Sequence, residues 1–281
     1  YEIRLSLVGS EMCIRDSYAK ADTFAAGGAL HYNNYQGNVQ STDLTNVDFI
    51  NNHAEAANGE AKGGAVYTNK SMNFTAKDGY QSVFSGNYTE SAGVRDDNAI
   101  YVDSPYATLN FTMENGGKFL LQDNIDGEKG YDVNIQGDDI NNTTFYLHND
   151  IRNADVTIRN TTLNTINNKT HAYNFDTFYM SDDINMAVDV DLANQEMDRV
   201  TAGSYEIQTG VTSPPLVKTD TLYVTGMNMI SDAPEGRDIT EIFFAEQGLK
   251  DHVVNGAAEL PQKEFQTTAY TPVSYTHLTL P

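Results

Sequence analysis

The chain has 281 residues, 17 basic and 39 acidic side chains and a net charge of −22, with no tryptophan, one cysteine and 17 tyrosines. A field of that sign repels phosphate backbones, which excludes nucleic acid as a partner, and one cysteine excludes a disulfide framework or a cysteine metal centre. No run of 18 apolar residues occurs, so no helix of this chain spans a bilayer.

Both ends are set apart from the rest. Residues 1–17 (YEIRLSLVGSEMCIRDS) and 273–281 (VSYTHLTLP) resemble translated sequencing-library adapters. The codons GTC TCT TAT ACA CAT CTG ACG CTG CCG spell the last nine residues, and a second adapter string spells Leu7 to Asp16. Such scars are left out of fold reasoning. The remaining stretch, 18–272, keeps 15 basic and 36 acidic residues, about −21, and no cysteine, because Cys13 lies in the first scar. It reads as a gene fragment cut at both ends, with any signal peptide or membrane domain outside it.

From Tyr18 to Ile100 a pattern recurs. Gly63-Gly64-Ala65-Val66 follows Gly27-Gly28-Ala29-Leu30 by 36 residues, and Phe84 follows Phe49 by 35. Asp97-Asn98-Ala99-Ile100 and Phe119 form a weaker third copy. A fixed period near 35 marks a stacked repeat. Paired glycines allow positive φ and close approach of a neighbouring coil, while Ala and an aliphatic residue point inward. Phe49, Phe84 and Phe119 are expected to stack inside. Asn51 or Asn52, Asn87 and Asn124 are expected at the following corner, where an amide can bond the adjacent coil. The period is long for one coil and is read as two coils of roughly 17–18 residues.

Alternation then strengthens. Leu109, Phe111 and Met113; Val133 and Ile135; Phe145 and Leu147; and Val156 and Ile158 each alternate with polar residues, between Asn/Asp/Gly clusters. These are strands and turns, with no helical stripe in 18–170. At the spacing of paired strands, roughly a dozen coils make a rod on the order of 60 Å long. The character shifts near His171, so 18–170 and 171–272 are separated as repeat region and continuation. Ile184, Met186, Val188, Val190 and Leu192 alternate over nine residues with Asn185, Asp189 and Asp191 on the other face. Thr212-Ser213-Pro214-Pro215 is a break. Leu222 and Val224 mark a strand, as do Ile242-Phe243-Phe244, within an ambiguous 239–253.

Gly-Gly-Ala-aliphatic alternating with Phe-x-x-Asn resembles the passenger repeats of bacterial autotransporters and polymorphic outer-membrane proteins. Ala187 to Leu192 followed by Met197-Asp198-Arg199-Val200 is similar to the C-terminal part of pertactin-like passengers. Together they cover most of 18–210. The resemblance implies an all-β, right-handed parallel β-helix (a β-solenoid), secreted to the bacterial cell surface and held in the outer membrane by a β-barrel downstream of the fragment. It implies an adhesin or surface interaction rod, with a host-surface protein or glycan as possible partner. Two rivals stand beside it: a β-helix enzyme that cleaves polysaccharides, and a purely structural stalk.

No catalytic, cofactor or metal site is assigned, and the expectation is a non-enzyme. The acidic pairs Asp96/Asp97, Asp138/Asp139, Asp182/Asp183 and Asp189/Asp191 are the first candidates. Asp189 and Asp191 share a strand face about 7 Å apart, which suits Ca²⁺ or a glycosidase-like pair, while the plain reading is a solvated face. His31, His53, His148, His171 and His252 lack metal-site spacing and read as surface or turn residues. Gly59 to Gly64 superficially resembles a phosphate loop, but no helix pattern follows it. Asn73-Phe74-Thr75, Asn87-Tyr88-Thr89 and Asn110-Phe111-Thr112 are sequons of the number an Asn/Thr-rich chain contains by composition. Tyr32, Tyr35, Tyr88, Tyr101 and Tyr146 are either stacking platforms for sugars or proteins or ordinary strand-face residues.

Overall fold

In the computed structural model, the structure describes residues 12–33, 42–180, 182–191, 193–194, 196–207 and 222–231. Among these residues every regular element is a strand. Two long sheets organise them. Sheet 1 contains Met12–Arg15, Val47–Ile50, Gln81–Ser85, Lys118–Leu121, Thr144–Leu147, Thr162–Asn164, Ile184–Asp191 and Leu222–Ser231, all parallel, and the short antiparallel Glu196–Met197. Sheet 2 contains Thr42–Thr45, Met72–Lys77, Thr108–Glu114, Tyr131–Gly137, Ala154–Arg159, Ala172–Met180 and Arg199–Ile207, also parallel. The chain alternates between the two sheets, so each pass lays one new strand on each.

The repeat corresponds to one pass, not two coils. Phe49 pairs with Phe84, 35 residues on, and Phe74 with Phe111, 37 residues on. The early passes are long because they visit three further sheets. Sheet 3 holds Tyr18–Ala21, His53–Ala56 and Tyr88–Ser91. Sheet 4 holds Leu30–Tyr32, Val66–Thr68, Asn98–Val102 and Asn124–Gly127. Sheet 5 is the pair Phe24–Ala26 and Glu60–Lys62. In the third pass Tyr88–Ser91 turns back through Ala92 (φ 48°) and Gly93 (φ 81°) into antiparallel Val94–Asp96. That hairpin covers the edge of sheet 3. Later passes omit sheets 3 and 5 and shorten to 24 residues (Phe111 to Ile135) and then 23 (Ile135 to Ile158). Eight parallel strands on sheet 1 give a height of about 34 Å along the stack over the described residues. This is shorter than the rod expected from the sequence, because each pass uses more chain.

The length change is one-sided. From a sheet 2 strand to the next sheet 1 strand the corner holds between one residue (Asn46) and six (138–143) as far as Ile184–Asp191, and 14 (208–221) before Leu222–Ser231. The return from sheet 1 to sheet 2 falls from 21 residues (51–71) and 22 (86–107) to nine (122–130), then six or seven.

Inward residues form columns. Ile14, Phe49, Phe84, Leu121 and Leu147 make one, with Phe49 over Phe84 at 5.2 Å. Phe74, Phe111, Ile135 and Ile158 make another on sheet 2. Phe119 does not complete the first column. It sits opposite Ser82 and Phe145, because register partners here are 37 residues apart rather than 35. A two-residue offset keeps a side chain on the same face while changing its neighbour. Ser82 is thereby buried between apolar rungs, its hydroxyl without a hydrogen-bond partner.

The Gly-Gly-Ala steps behave as the sequence predicts. Gly63 takes φ +61°, and Ala29 N–H donates to Ala65 O (2.9 Å), whose N–H donates to Ala99 O (3.0 Å). A Cβ on Gly64 would lie 2.4 Å from Tyr88 O and 2.5 Å from Asn98 O, so the neighbouring backbones leave no room for one. Between sheets 3 and 5 a second, small core consists of Ala25, Ala54, Ala56 and Ala61.

The corner after sheet 1 is held by a ladder of buried polar side chains, Asn52, Asn87 and Asp123. Asn124 is not its third rung. It belongs to sheet 4 and pairs with Asn98. The residue before the ladder makes the turn, as Asn51 (φ 56°) or Gly86 (φ 70°).

Sheets 1 and 2 run across His171 without a break. Met12–Arg15, in the adapter-like segment, pairs with Val47–Ile50, with Met12 and Ile14 partly buried against the core. An open edge pairs with any strand whose apolar residues alternate correctly. Residues 1–11, 273–281, Thr212–Pro215 and 239–253 lie outside the described residues.

Candidate functional site

The outward side chains also stack, pass upon pass. On sheet 3, His53 lies parallel to Tyr88 (4.8 Å, 2°) and Tyr18 (5.6 Å, 15°), and Arg95 sits 3.8 Å from the Tyr88 centroid. On sheet 4, Tyr67 stacks on Tyr101 (6.2 Å, 5°), and Lys62 lies 4.4 Å from the Tyr101 centroid. Rings stacked along the axis spend their faces on each other, so Tyr88 and Tyr101 present edges rather than open platforms. Tyr32 is half-buried and Tyr146 meets His148 edge-on, while Tyr35 lies outside the described residues. Among the described residues Tyr106, beside Pro105 in a turn, is the most exposed tyrosine, at 93%. Only that turn signal marks it in the sequence.

Sheets 4 and 5 meet at a corner. Phe24 from sheet 5 packs edge-on against Tyr67 (6.2 Å), burying a ring that points away from the main core. Lys62 approaches Glu60 (3.6 Å) and Asp103 (3.8 Å), and the Tyr67 hydroxyl donates to Asp103 at 2.5 Å. Burial pulls the Lys62 ammonium down, but the Tyr101 hydroxyl and the two carboxylates outweigh it, leaving the group above its ordinary value. Burial raises the Tyr101 phenol.

The acidic pairs do not converge. Asp96 bonds Arg152 (3.0 Å) while Asp97 takes Arg95 (3.2 Å). Asp138 accepts from Asn115 N–H, and Asp139 from Asn141 N–H. Asp182 makes a turn at φ 71°. Asp189 is not on a solvated face. Ile184–Asp191 is covered on both sides, and Asp189 is fully buried, accepting from the backbone N–H of Asn167 (2.6 Å) and Lys169 (3.1 Å) and from Asn228 (2.5 Å). Asp191 instead accepts from Ser231 and Asn194. Asp189's real neighbour is Asp198, from the segment resembling pertactin-like passengers. Asp198 accepts from Asp189 N–H (2.8 Å), the Thr165 hydroxyl (2.6 Å) and His171 N–H (2.8 Å). These bonds close a corner, so its chemistry is structural.

Burial raises the carboxyls of Asp123 and Asp198 above the ordinary range, despite the N–H donors each receives. The folded state therefore holds these protons to higher pH than the unfolded chain does. Their contribution is complete below the unfolded value near 3.8 and is lost as pH rises through the folded values. Relief of charge repulsion in a chain of −22 acts in the same direction. His148, whose pKa burial lowers, acts the opposite way as pH falls, so the comparison is between wild type and Asp123→Asn, which share it. The thermal midpoint of wild type relative to Asp123→Asn, followed by circular dichroism, is expected to rise as pH falls from about 7.5 to about 4.5. A difference that stays constant or shrinks over that interval contradicts this assignment.

His31 is exposed, while His53, His148 and His171 are half-buried. His171 Nε2 meets Asp150 at 2.7 Å, His53 is the middle of the sheet 3 stack, and His31 packs on Tyr67 at 4.8 Å. His148 has its Nε2 buried without a partner, and burial lowers its pKa. His252 lies outside the described residues. Among those residues no group of three His, Cys, Asp or Glu is placed to hold a metal ion, and no helix is long and apolar enough to cross a membrane.

One depression opens on the outer face of sheet 2, with a volume of about 350 Å³. Its walls are two columns of polar side chains, Asp43–Asn73–Asn110–Asn134 and Thr75–Thr112–Gln136, with Glu114 at the rim. The sequons Asn73-Phe74-Thr75 and Asn110-Phe111-Thr112 supply four of these residues, the intervening Phe facing inward. Comparison with protein-family models, with curated proteins and with solved structures finds no match to this chain.

Proposed function

We infer that this chain is a right-handed parallel β-helix from a surface-displayed autotransporter passenger, acting as an adhesin or surface interaction rod. The observation that carries this reading is the in-register stacking of like residues on every face: phenylalanine inside, an amide–carboxylate ladder at the corner, polar and aromatic columns outside. Such a stack needs only its neighbouring pass to fold against, which suits a chain that emerges progressively through a membrane. Its outer columns repeat the same group at the strand spacing of about 4.8 Å, which suits many weak contacts along a length.

The full-length gene in its host tests this. A signal peptide upstream, a β-barrel downstream and loss of the 18–272 region when intact cells are treated with protease are expected. A region that resists protease until the cells are lysed overturns surface display. A second reading, a polysaccharide-cleaving enzyme, is favoured by one place, where Lys62, Asp103, Glu60 and Tyr101 meet. Release of reducing ends from a polysaccharide by the wild type, lost in Lys62→Met, selects it.

A further inference from the structure

We propose that the outer face of sheet 2 is a binding groove for a neutral, linear glycan lying along the stack. The inference deepens the surface-rod reading and rests on it for its biological setting.

The groove has unspent hydrogen-bonding capacity at a regular spacing. Asn110 donates one N–H to Asn73 Oδ1 (2.8 Å) and accepts from Asn134 at the same distance. A primary amide carries two N–H donors and an oxygen with two lone pairs. Asn110 therefore keeps one donor and one lone pair facing outward. Asn134 donates to Asn110 only, and its oxygen has no partner among the described residues. Thr75 and Thr112 stand beside the ladder, half-buried, and their hydroxyls bond nothing in the described chain. Successive rungs lie about 4.8 Å apart, so the Asn110 and Asn134 amides and the Thr75 and Thr112 hydroxyls offer donors and acceptors at that interval.

The ladder also fixes the amides. The Asn73 and Asn110 –CONH₂ planes are held by bonds above and below, so little rotamer entropy remains to be lost there on binding. A hydroxyl both donates and accepts, and a sugar chain carries hydroxyls along both edges, so it can satisfy such a ladder without strict register. The charges narrow the class further. Asp43 ends the ladder and Glu114 stands at the rim, within a chain of −22. Uronic and sulfated polymers are repelled. A second copy of this acidic chain is disfavoured for the same reason, although amide ladders on two sheets can pair face to face.

Native gel electrophoresis of the purified chain, in gels cast with hydroxyethylcellulose, arabinoxylan, galactomannan or alginate, tests the groove. Retardation is expected in at least one neutral polymer and not in alginate. The double variant Thr75→Val, Thr112→Val removes two hydroxyls that serve no internal bond, so it keeps its melting temperature and loses affinity about tenfold. Asn110→Leu loses at least as much. Tyr106→Ala, on a turn away from the groove, leaves retardation unchanged. No retardation in any neutral polymer, or retardation that survives the Thr75/Thr112 double variant, overturns the proposal. So does a concentration-dependent dimer, seen by sedimentation without glycan and abolished by the same double variant, which assigns the face to a second copy. The assay is done in free solution, so its failure removes the groove and leaves surface display to the protease test.

Discussion

Replacing Asn87 with leucine is expected to cost roughly 3–5 kcal/mol, from several buried polar groups losing partners at once. Asn87 Oδ1 accepts from both the backbone N–H (3.0 Å) and the side-chain amide (2.9 Å) of Asn52. Its own amide donates to Phe49 O and to Asp123 Oδ2, each at 2.8 Å. Leucine fills similar space, so the loss is almost entirely in bonding. Two donors on Asn52, one backbone carbonyl and part of the coordination of a buried carboxylate are left unmade. Because each pass touches mainly its neighbours, the damage concentrates where the ladder runs. Hydrogen exchange is expected to accelerate at the amides of 49–52 and 84–88 while the Ile135 and Ile158 rungs stay protected. Asn51→Ala, one residue away but outside the ladder, gives the control, since only its left-handed φ is at stake and the cost is about 1 kcal/mol. Equal effects at 51 and 87 would show that backbone conformation, not the ladder, holds this corner.

The second large effect is Phe111→Ala, expected at about 3–5 kcal/mol from lost burial and the cavity left behind. Phe111 is where the two sheets lock together. It stacks on Phe74 (5.1 Å) in its own sheet and meets Phe84 (6.3 Å), Phe119 (5.2 Å) and Phe145 (5.4 Å) edge-on across the core. The neighbouring rungs are fixed by backbone ladders above and below, so they cannot close the space. Urea unfolding monitored by circular dichroism measures the loss. Phe111→Leu is expected to recover more than half of it, and a cost below 1 kcal/mol for the alanine variant would mean that the passes collapse freely around position 111.

What the sequence reveals of this fold is its periodicity, and what it hides is register. The glycine pairs and Phe49/Phe84 are legible because like residues recur at one spacing. The assignment of one pass per repeat is not, because the number of sheets visited per pass leaves no local mark beyond the alternations Ala19/Ala21 and Ala54/Ala56. Phe119 illustrates the limit. It has the right residue type and nearly the right spacing, yet a two-residue change in pass length sends it to another column. The third rung of the ladder was missed because Asp123 replaces an amide. A carboxylate and an amide oxygen accept the same bonds, so a search for asparagine passes over it. Asp189 read as surface because alternation says which residues share a side, but not whether that side is covered, and here both are. The sheet 2 groove was visible only as sequons, a pattern noticed for a different chemistry.

In the passes up to Ile184–Asp191 the two legs have opposite tolerances. The corner from sheet 2 to sheet 1 is as short as one residue, Asn46, and a residue inserted into a strand beside it would turn the inward column outward. The return leg already spans six to 26 residues between the same two sheets, and doubling a flexible loop costs only about 0.6 kcal/mol in closure entropy. Added chain length is thus tolerated on one flank of these passes. New loops, hairpins such as 88–96 or whole inserted domains can accumulate there without disturbing the opposite wall. The molecule has one flank free to vary under selection and another, bearing the sheet 2 groove, whose spacing the backbone itself conserves.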